Sequence, residues 1–267
     1  MNELEMIPLY SGSSGNSTLI KCDDTKILID AGFNCKKITE ALQSIREEVS
    51  DIDGIFITHT HSDHIGALDV LVRKYNIPIY GTESVIRKVN SYCKKPHDRS
   101  LDRVIVNFED INIGCLTVKS CETSHDSDDV SVCYKVTNGK RTCMVATDLG
   151  YVSDDIMSFV RDVDAAIVES NYDIDMLDNG PYDYMLKKRV KGNRGHLSNE
   201  DCAKLIRAME ICGTRKFYLG HLSQNNNTPD IAINTVMNYL SSFNDNLLSL
   251  CQIAVAERYQ PTRGIIV

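Results

Sequence analysis

Short apolar runs, each stopped by glycine or polar residues, recur along the chain and predict buried strands over residues 26–30 (KILID), 54–58 (GIFIT), 77–80, 165–168 (AAIV), 216–219 and 253–256. Between them, apolar residues fall at helical spacing. Residues 36–48 place Ile38, Leu42 and Ile45 on one face, and 65–75, 153–161, 198–211 and 229–240 repeat that period. Ser198 is expected to cap the helix it opens, with Asp201 three residues on. Residues 104–147 are strand-rich, with a strand over 130–137, an Asn138-Gly139 turn and a return strand over 142–146. Strand–helix alternation on both sides of a hairpin-rich middle predicts mixed sheets packed together with helices outside, an α/β (α+β) architecture. No repeat, linker or low-complexity stretch divides the chain, so residues 1–267 read as a single domain.

Composition narrows the class. Hydrophobic residues make up 42% of the 267 and charged residues 25%, ordinary for a globular protein. No apolar run approaches the ~20 residues of a membrane span. Residues 1–17 lack a basic start followed by an apolar core, so no secretory leader is expected and the cytoplasm is the expected compartment. The 10 cysteines form no CxxC pair and are expected as reduced thiols filling gaps in the core. A net charge of −8 argues against nucleic-acid binding over the whole surface but is silent on a local basic patch.

The chemistry concentrates in histidine. Three of the 7 histidines lie in HTHSDH, residues 59–64, directly after the GIFIT strand. In an extended turn His59 and His61 project the same way and can meet one cation. Asp63 and His64 follow as the chain turns into a helix and can face a second. Imidazole with carboxylate suits Zn, Mn or Fe. Two ions need further ligands, and a bridging carboxylate is the usual device for holding two metals about 3.5–4 Å apart. His125, Asp148 and His221 each stand where an apolar run stops, and together they supply what is missing.

HTHSDH after a strand, with Asp30 ending an earlier one, resembles the metallo-β-lactamase superfamily. SGSSGNS (11–17), ATDLG (146–150), ESNYD (169–173), GHLSN (195–199) and GHLSQNN (220–226) are similar to the YycJ/WalJ family of bacterial proteins, from about Leu9 to the C-terminus. The resemblance implies a four-layer αββα metallo-β-lactamase sandwich with the site at one edge. It implies two divalent metal ions, one held by His59, His61 and His125, the other by Asp63, His64 and His221, with Asp148 bridging. Asp30 would lie behind them and orient a ligand histidine. The family is associated with 5′→3′ exonuclease activity on double-stranded DNA and with cell-wall two-component regulation.

Fold alone does not fix a substrate in this superfamily. His196, just before the Ser198 cap, resembles the extra histidine of phosphodiester-cleaving members. It would protonate the leaving oxygen, with Glu169 holding its ring. His196, Glu169 and Asp63 are thus the candidate catalytic residues. His97, in a polar loop, reads as a surface residue. Lys187, Lys188, Arg189, Lys191 and Arg194 fall within eight residues containing no acid. They read either as a solvated face or as a track for a nucleic-acid backbone. Ser13, Ser14 and Asn16 in SGSSGNS offer phosphate donors or simply a tight turn.

Nucleases with a β-CASP insert carry a large extra segment between the bridging aspartate and the last histidine, whereas Asp148 and His221 are 73 residues apart. No Gly/Pro-rich insert resembles the tRNA-binding arm of ribonuclease Z. The expectation is a metal-dependent phosphodiesterase acting on DNA, with no membrane and no protein partner implied. The alternatives are a hydrolase of a small ester, lactone, thioester or cyclic phosphodiester, and a metal-stabilised regulatory protein.

Overall fold

The computed structural model describes residues 3–243 and 246–267. Residues 1–2, part of the stretch read for a leader, and 244–245 lie outside them. Two seven-stranded sheets are built on the same plan. In the first, β1 (Leu4–Tyr10), β2 (Ser17–Cys22) and β3 (Thr25–Ile29) run antiparallel. β4 (Gly54–Phe56), β5 (Ile79–Gly81) and β6 (Asp102–Val104) then add in parallel. In the second, β7 (Ile111–Ile113), β8 (Leu116–Glu122), β9 (Val132–Thr137) and β10 (Thr142–Ala146) are antiparallel. β11 (Ala165–Glu169), β12 (Lys216–Gly220) and β13 (Gln252–Val255) continue in parallel. A short β14 (Ile265–Ile266) returns to pair with β1.

Alternation along the strands explains the layering. Met6, Ile27, Ile29 and Phe56 of the first sheet meet Val118, Tyr134, Val145 and Ile167 of the second in an inter-sheet core. The opposite faces are covered by helices. Ile7, Leu9, Leu28 and Ile55 pack under α1 (Cys35–Ser44), α3 (Leu68–Tyr75) and α4 (Glu83–Tyr92). Met144, Ala166 and Phe217 pack under α5 (Asp154–Phe159), α8 (Asn199–Ile211) and α9 (Pro229–Ser241). The result is an αββα sandwich. No helix among the described residues is long and apolar enough to cross a membrane.

Ser198 caps α8 as expected, accepting from Asp201 N at 3.1 Å. Several boundaries differ from the pattern. The helix expected over 36–48 stops at Ser44. Arg46 turns left-handed (φ 64°), and Glu47 reaches back to Lys21 (2.8 Å) and Lys26 (2.7 Å). The helix expected over 65–75 begins only at Leu68 (α3), and a separate short helix, α2 (Ser62–Ile65), precedes it. Its carbonyls are diverted: Asp63 O accepts from Asn16 N and His64 O from Ala31 N, both at 2.8 Å. Only five cysteines (22, 121, 133, 143 and 202) are buried, and Cys115 and Cys212 are exposed. His97, expected on the surface, is tucked in instead. Its side chain is 2% exposed, with Nε2 2.7 Å from Asp102 Oδ1.

Candidate metal centre

The sequence places its chemistry just beyond strand ends, and the backbone there is unusual. Asp30 after β3, Asp148 after β10 and His221 after β12 all adopt left-handed φ, at 60°, 60° and 54°. Such a conformation costs a non-glycine residue about 1–3 kcal/mol and persists only where surrounding contacts impose it. Here those contacts are explicit. Asp30 N donates to Phe56 O at 2.9 Å, and His221 N donates to Ser11 Oγ at 2.8 Å.

The loop after β4 carries HTHSDH. Thr58 donates from N and Oγ1 to the two carboxylate oxygens of Asp30, each at 2.8 Å. Thr60 donates from N (3.1 Å) and Oγ1 to Asp129 Oδ2. Pinned at both points, the loop aims His59 Nε2 to within 3.0 Å of His61 Nδ1, and His125 Nε2 lies 3.3 Å from that same nitrogen. A second group forms beside it, where His64 Nε2 and His221 Nε2 lie 3.5 and 3.6 Å from Asp63 Oδ2. Asp148 stands between the two, with Oδ1 3.5 Å from His125 Nε2 and Oδ2 3.3 Å from His64 Nε2.

The outward nitrogens of three of these rings are engaged. Nδ1 of His64 meets Asp30 at 2.7 Å, that of His125 meets Gly195 O at 3.0 Å, and that of His221 meets Glu169 at 2.8 Å. Their Nε2 atoms are left facing the cluster, the arrangement that orients a histidine toward a metal. Two buried atoms in the cluster, Asp148 Oδ2 and His221 Nε2, have no hydrogen-bond partner. A buried polar atom without a partner is costly, and a cation would supply one. The donor set, nitrogen and oxygen only, suits Zn, Mn or Fe.

The acids and imidazoles also act strongly on one another's charge. Burial would raise the Asp148 pKa, but His221, His64, His125 and His59 outweigh it and hold the carboxyl well below its usual range. Burial would lower His64, but Asp148, Asp30 and Asp63 push it up to about 9.

Glu169, fully buried at the end of β11, uses both oxygens. Oε2 accepts from Leu149 N (2.8 Å) and Leu197 N (3.1 Å), and Oε1 meets Nδ1 of both His196 and His221 at 2.8 Å. Against the cost of burial, His196 and these hydrogen bonds lower its pKa to about 2. His196 is 21% exposed and lies between the rings of His125 and His221, at 5.0 and 5.2 Å. It lines a cavity of about 230 Å³ shared with His61, Asp63 and Asp148.

The rim departs from expectation. The basic run belongs to a helix not foreseen, α7 (Tyr184–Lys191), which follows α6 (Ile174–Asn179). Arg189 pairs with Asp126 and Lys191 with Asp178, and Lys187 Nζ donates to Asp178 O at 2.8 Å. The run thus meets acids that its own eight residues lack. Lys188 is exposed. Arg194 donates to His125 O (3.3 Å) and Ser127 O (3.4 Å), bracing the loop that carries His125. Ser13 is exposed at the cavity mouth and Ser14 half-buried, on a turn closed by Gly15 N donating to Gly12 O at 2.9 Å. Asn16 faces the histidine cluster from within. It is buried, with Nδ2 3.2 Å from Asp63 Oδ2 and 3.0 Å from His64 Nε2. Asp129 carries no local sequence signal, because it acts on Thr60 across 69 residues of sequence. Asn199 of GHLSN and Asn227, the residue after GHLSQNN, also have a structural use. Asn227 Nδ2 donates to Ser170 O (2.9 Å) and Asn199 Oδ1 (2.8 Å), tying the loops after β11 and β12 to the start of α8.

Residues 25–222 match the family described as "Beta-lactamase superfamily domain". The chain is 37% identical over 234 residues to exodeoxyribonuclease WalJ of Streptococcus pneumoniae, covering 87% of each protein. It is 37% identical over 227 residues to exodeoxyribonuclease YycJ of Bacillus anthracis, covering 84% of each. In fold it is similar to the metallo-β-lactamase fold protein YhfI from Bacillus subtilis, with a TM-score of 0.73 at 17% identity over 97% of this chain and 99% of that one. By motif, fold and these matches, the chain belongs to the metallo-β-lactamase superfamily and, within it, to the WalJ/YycJ family.

Proposed function

We propose that this protein is a metal-dependent phosphodiesterase that removes nucleotides from double-stranded DNA, with 5′→3′ polarity. The observation that carries the reading is that His196, paired with the buried Glu169 (2.8 Å), lines a cavity together with His61 and His125 of one ligand group and Asp63 and His221 of the other. A plain two-metal site needs no sixth histidine there; a phosphodiester, with a poor leaving oxygen, does. The exodeoxyribonuclease names of the relatives at 37% identity support the same reading.

In this reading His59, His61 and His125 hold one divalent ion, Asp63, His64 and His221 hold the other, and Asp148 reaches both. Ions of the Zn, Mn or Fe class would supply Lewis-acid polarisation of a phosphate and a water of lowered pKa. Asp30 and Asn16 fix His64 and Asp63 in place. Glu169 accepts a hydrogen bond from Nδ1–H of His196, which leaves Nε2–H to give its proton to the leaving oxygen. The exposed Lys188, with Arg189 and Ser13 at the mouth, faces the backbone of a long substrate. The inter-sheet core, drawn from both halves of the chain, supports one hydrolase domain over 1–267. Ten free cysteines support a reducing, cytoplasmic setting.

The test is incubation of the purified protein and Mn²⁺ with end-labelled duplex DNA, beside RNA and a generic phosphodiester. Mononucleotide release from the 5′ end of the duplex is expected. Turnover of the small ester alone would overturn the DNA reading.

A further inference from the structure

Outside the histidine cluster, the described residues hold one more group of three metal-ligating side chains. The donor atoms of Cys22, Asp23 and Cys115 all lie within 4.8 Å of one another. Cys22 ends β2, Asp23 opens the turn into β3, and Cys115 sits in the turn between β7 and β8. The two turns belong to different sheets. They meet at the end of the sandwich opposite the histidine cluster. β2 starts at Ser17, whose Oγ donates to Asp30 O, and ends at Cys22, while β8 leaves Cys115 and leads toward His125.

Backbone contacts set the spacing of the two sulfurs. Cys115 N donates to Thr25 Oγ1 and its thiol to Cys22 O, each at 3.1 Å. Gly114, at φ 53°, packs so closely that a Cβ there would lie 2.0 Å from Thr25 Oγ1. Asn138 Nδ2 donates to Cys22 Sγ at 3.6 Å, but burial, with Cys115 and Asp23 beside it, outweighs that contact and raises the Cys22 thiol above its ordinary value, so a cation is what would favour the thiolate here.

We propose that Cys22, Asp23 and Cys115 bind a thiophilic divalent cation of the zinc class, which clamps the two sheets at this end. Two thiolates and a carboxylate provide three of four tetrahedral positions, and water can take the fourth. Cys22 is buried while Asp23 and Cys115 are exposed, so the ion has a path from solvent. The two exposed side chains can close on it without displacing core. Binding releases the two thiol protons. The donor set separates this site from the catalytic one, whose proposed ligands offer only nitrogen and oxygen.

That difference provides the test. The full-length protein, reduced and under anaerobic conditions, is titrated with Co²⁺ and followed for thiolate-to-cobalt charge-transfer absorption in the near ultraviolet. One equivalent of cobalt with that absorption is expected. Cys22→Ser and Cys115→Ser should abolish it and Asp23→Asn weaken it, while cleavage of duplex DNA stays unchanged. Cys115→Ser, at an exposed position, decides the matter if Cys22→Ser fails to fold. Absence of the band at saturating cobalt, its persistence in Cys115→Ser, or a Cys22–Cys115 disulfide in protein kept under reductant would each overturn the proposal.

Discussion

Asp30 and Asp148 occupy matching places in the two sheets. Each follows the last strand of an antiparallel run, at the point where parallel strands begin, and each is buried with φ 60°. Yet their surroundings give them different work. Asp30 is saturated by the chain itself, with Thr58 N on one oxygen and Thr58 Oγ1 and His64 Nδ1 on the other. Asp148 keeps a buried Oδ2 with no hydrogen-bond partner, amid His59, His64, His125 and His221. The repeated architecture supplies the place for a carboxylate. What faces it, Thr58 and one histidine at Asp30 but four histidines at Asp148, separates a carboxylate suited to positioning a ligand from one proposed to be a ligand.

The largest effect should come from Asp148→Asn, which keeps the shape and removes the charge. A bridging carboxylate contributes several kcal/mol through the ions it holds, so turnover of duplex DNA should fall on the order of 10⁴-fold as metal content drops. Elemental analysis with rate measurement checks this. An asparagine variant that keeps two ions and its rate would remove the bridge from the mechanism.

The second half also carries Glu169, which spans His196 and His221. His196→Ala should leave metal content intact and lower turnover by roughly 10²–10³, within the range of a positioned acid. Loss of metal in that variant would make His196 a ligand and redraw the comparison. Asp30→Asn should be milder. An outer partner of a ligand histidine is worth about 10–100-fold in metal affinity or activity, so metal-binding titration should show a weakened second group and an intact first. A loss as large as that of Asp148→Asn would mean that the two aspartates do not differ in kind.

How far the sequence reveals this arrangement depends on how local each signal is. HTHSDH is legible because its histidines and aspartate are chemically committed and a strand precedes it. The strand-end positions of Asp148, Glu169 and His221 are legible because apolar runs stop there. Asn16 is not, since its role depends on Asp63, 47 residues away. The helix α7 hides for a related reason. Only Val190 of it is buried, so no apolar stripe marks it, and the acids that pair with its cations, Asp126 and Asp178, lie outside the run. Terminal strands β1 and β2, buried nearly throughout, lack the alternation that would announce them.

The rim offers a smaller effect. Replacing Lys187, Lys188 and Lys191 with Gln should flatten the slope of log affinity against log salt by about 0.9 for each phosphate no longer neutralised. Because Lys187 and Lys191 already engage Asp178, a change of about one unit is expected, with up to about three if DNA displaces those pairings. Metal content and hydrolysis of a small phosphodiester should not move. An unchanged slope would make α7 a solvated face.

The smallest effect concerns a carboxylate that is buried and paired but remote from any histidine. Glu47 lies where the first helix ends early, held by Lys21 and Lys26. Burial alone would raise its pKa, but the two ammonium groups outweigh that and lower it. A lowered carboxylate stabilises the fold fully above its unfolded pKa, about 4.3, and that contribution is lost as pH falls through the folded value. Glu47→Gln should therefore cost about 1 kcal/mol at neutral pH, the scale of a well-placed ion pair near the surface. The gap to the parent should close as denaturation is repeated at pH values falling below about 4. Metal content and DNA turnover should be those of the parent. A stability gap that persists in acid would assign Glu47 to packing instead of charge. A change in metal content would show that the first sheet transmits strain to the site, and Asp30 could then no longer be treated as acting through His64 alone.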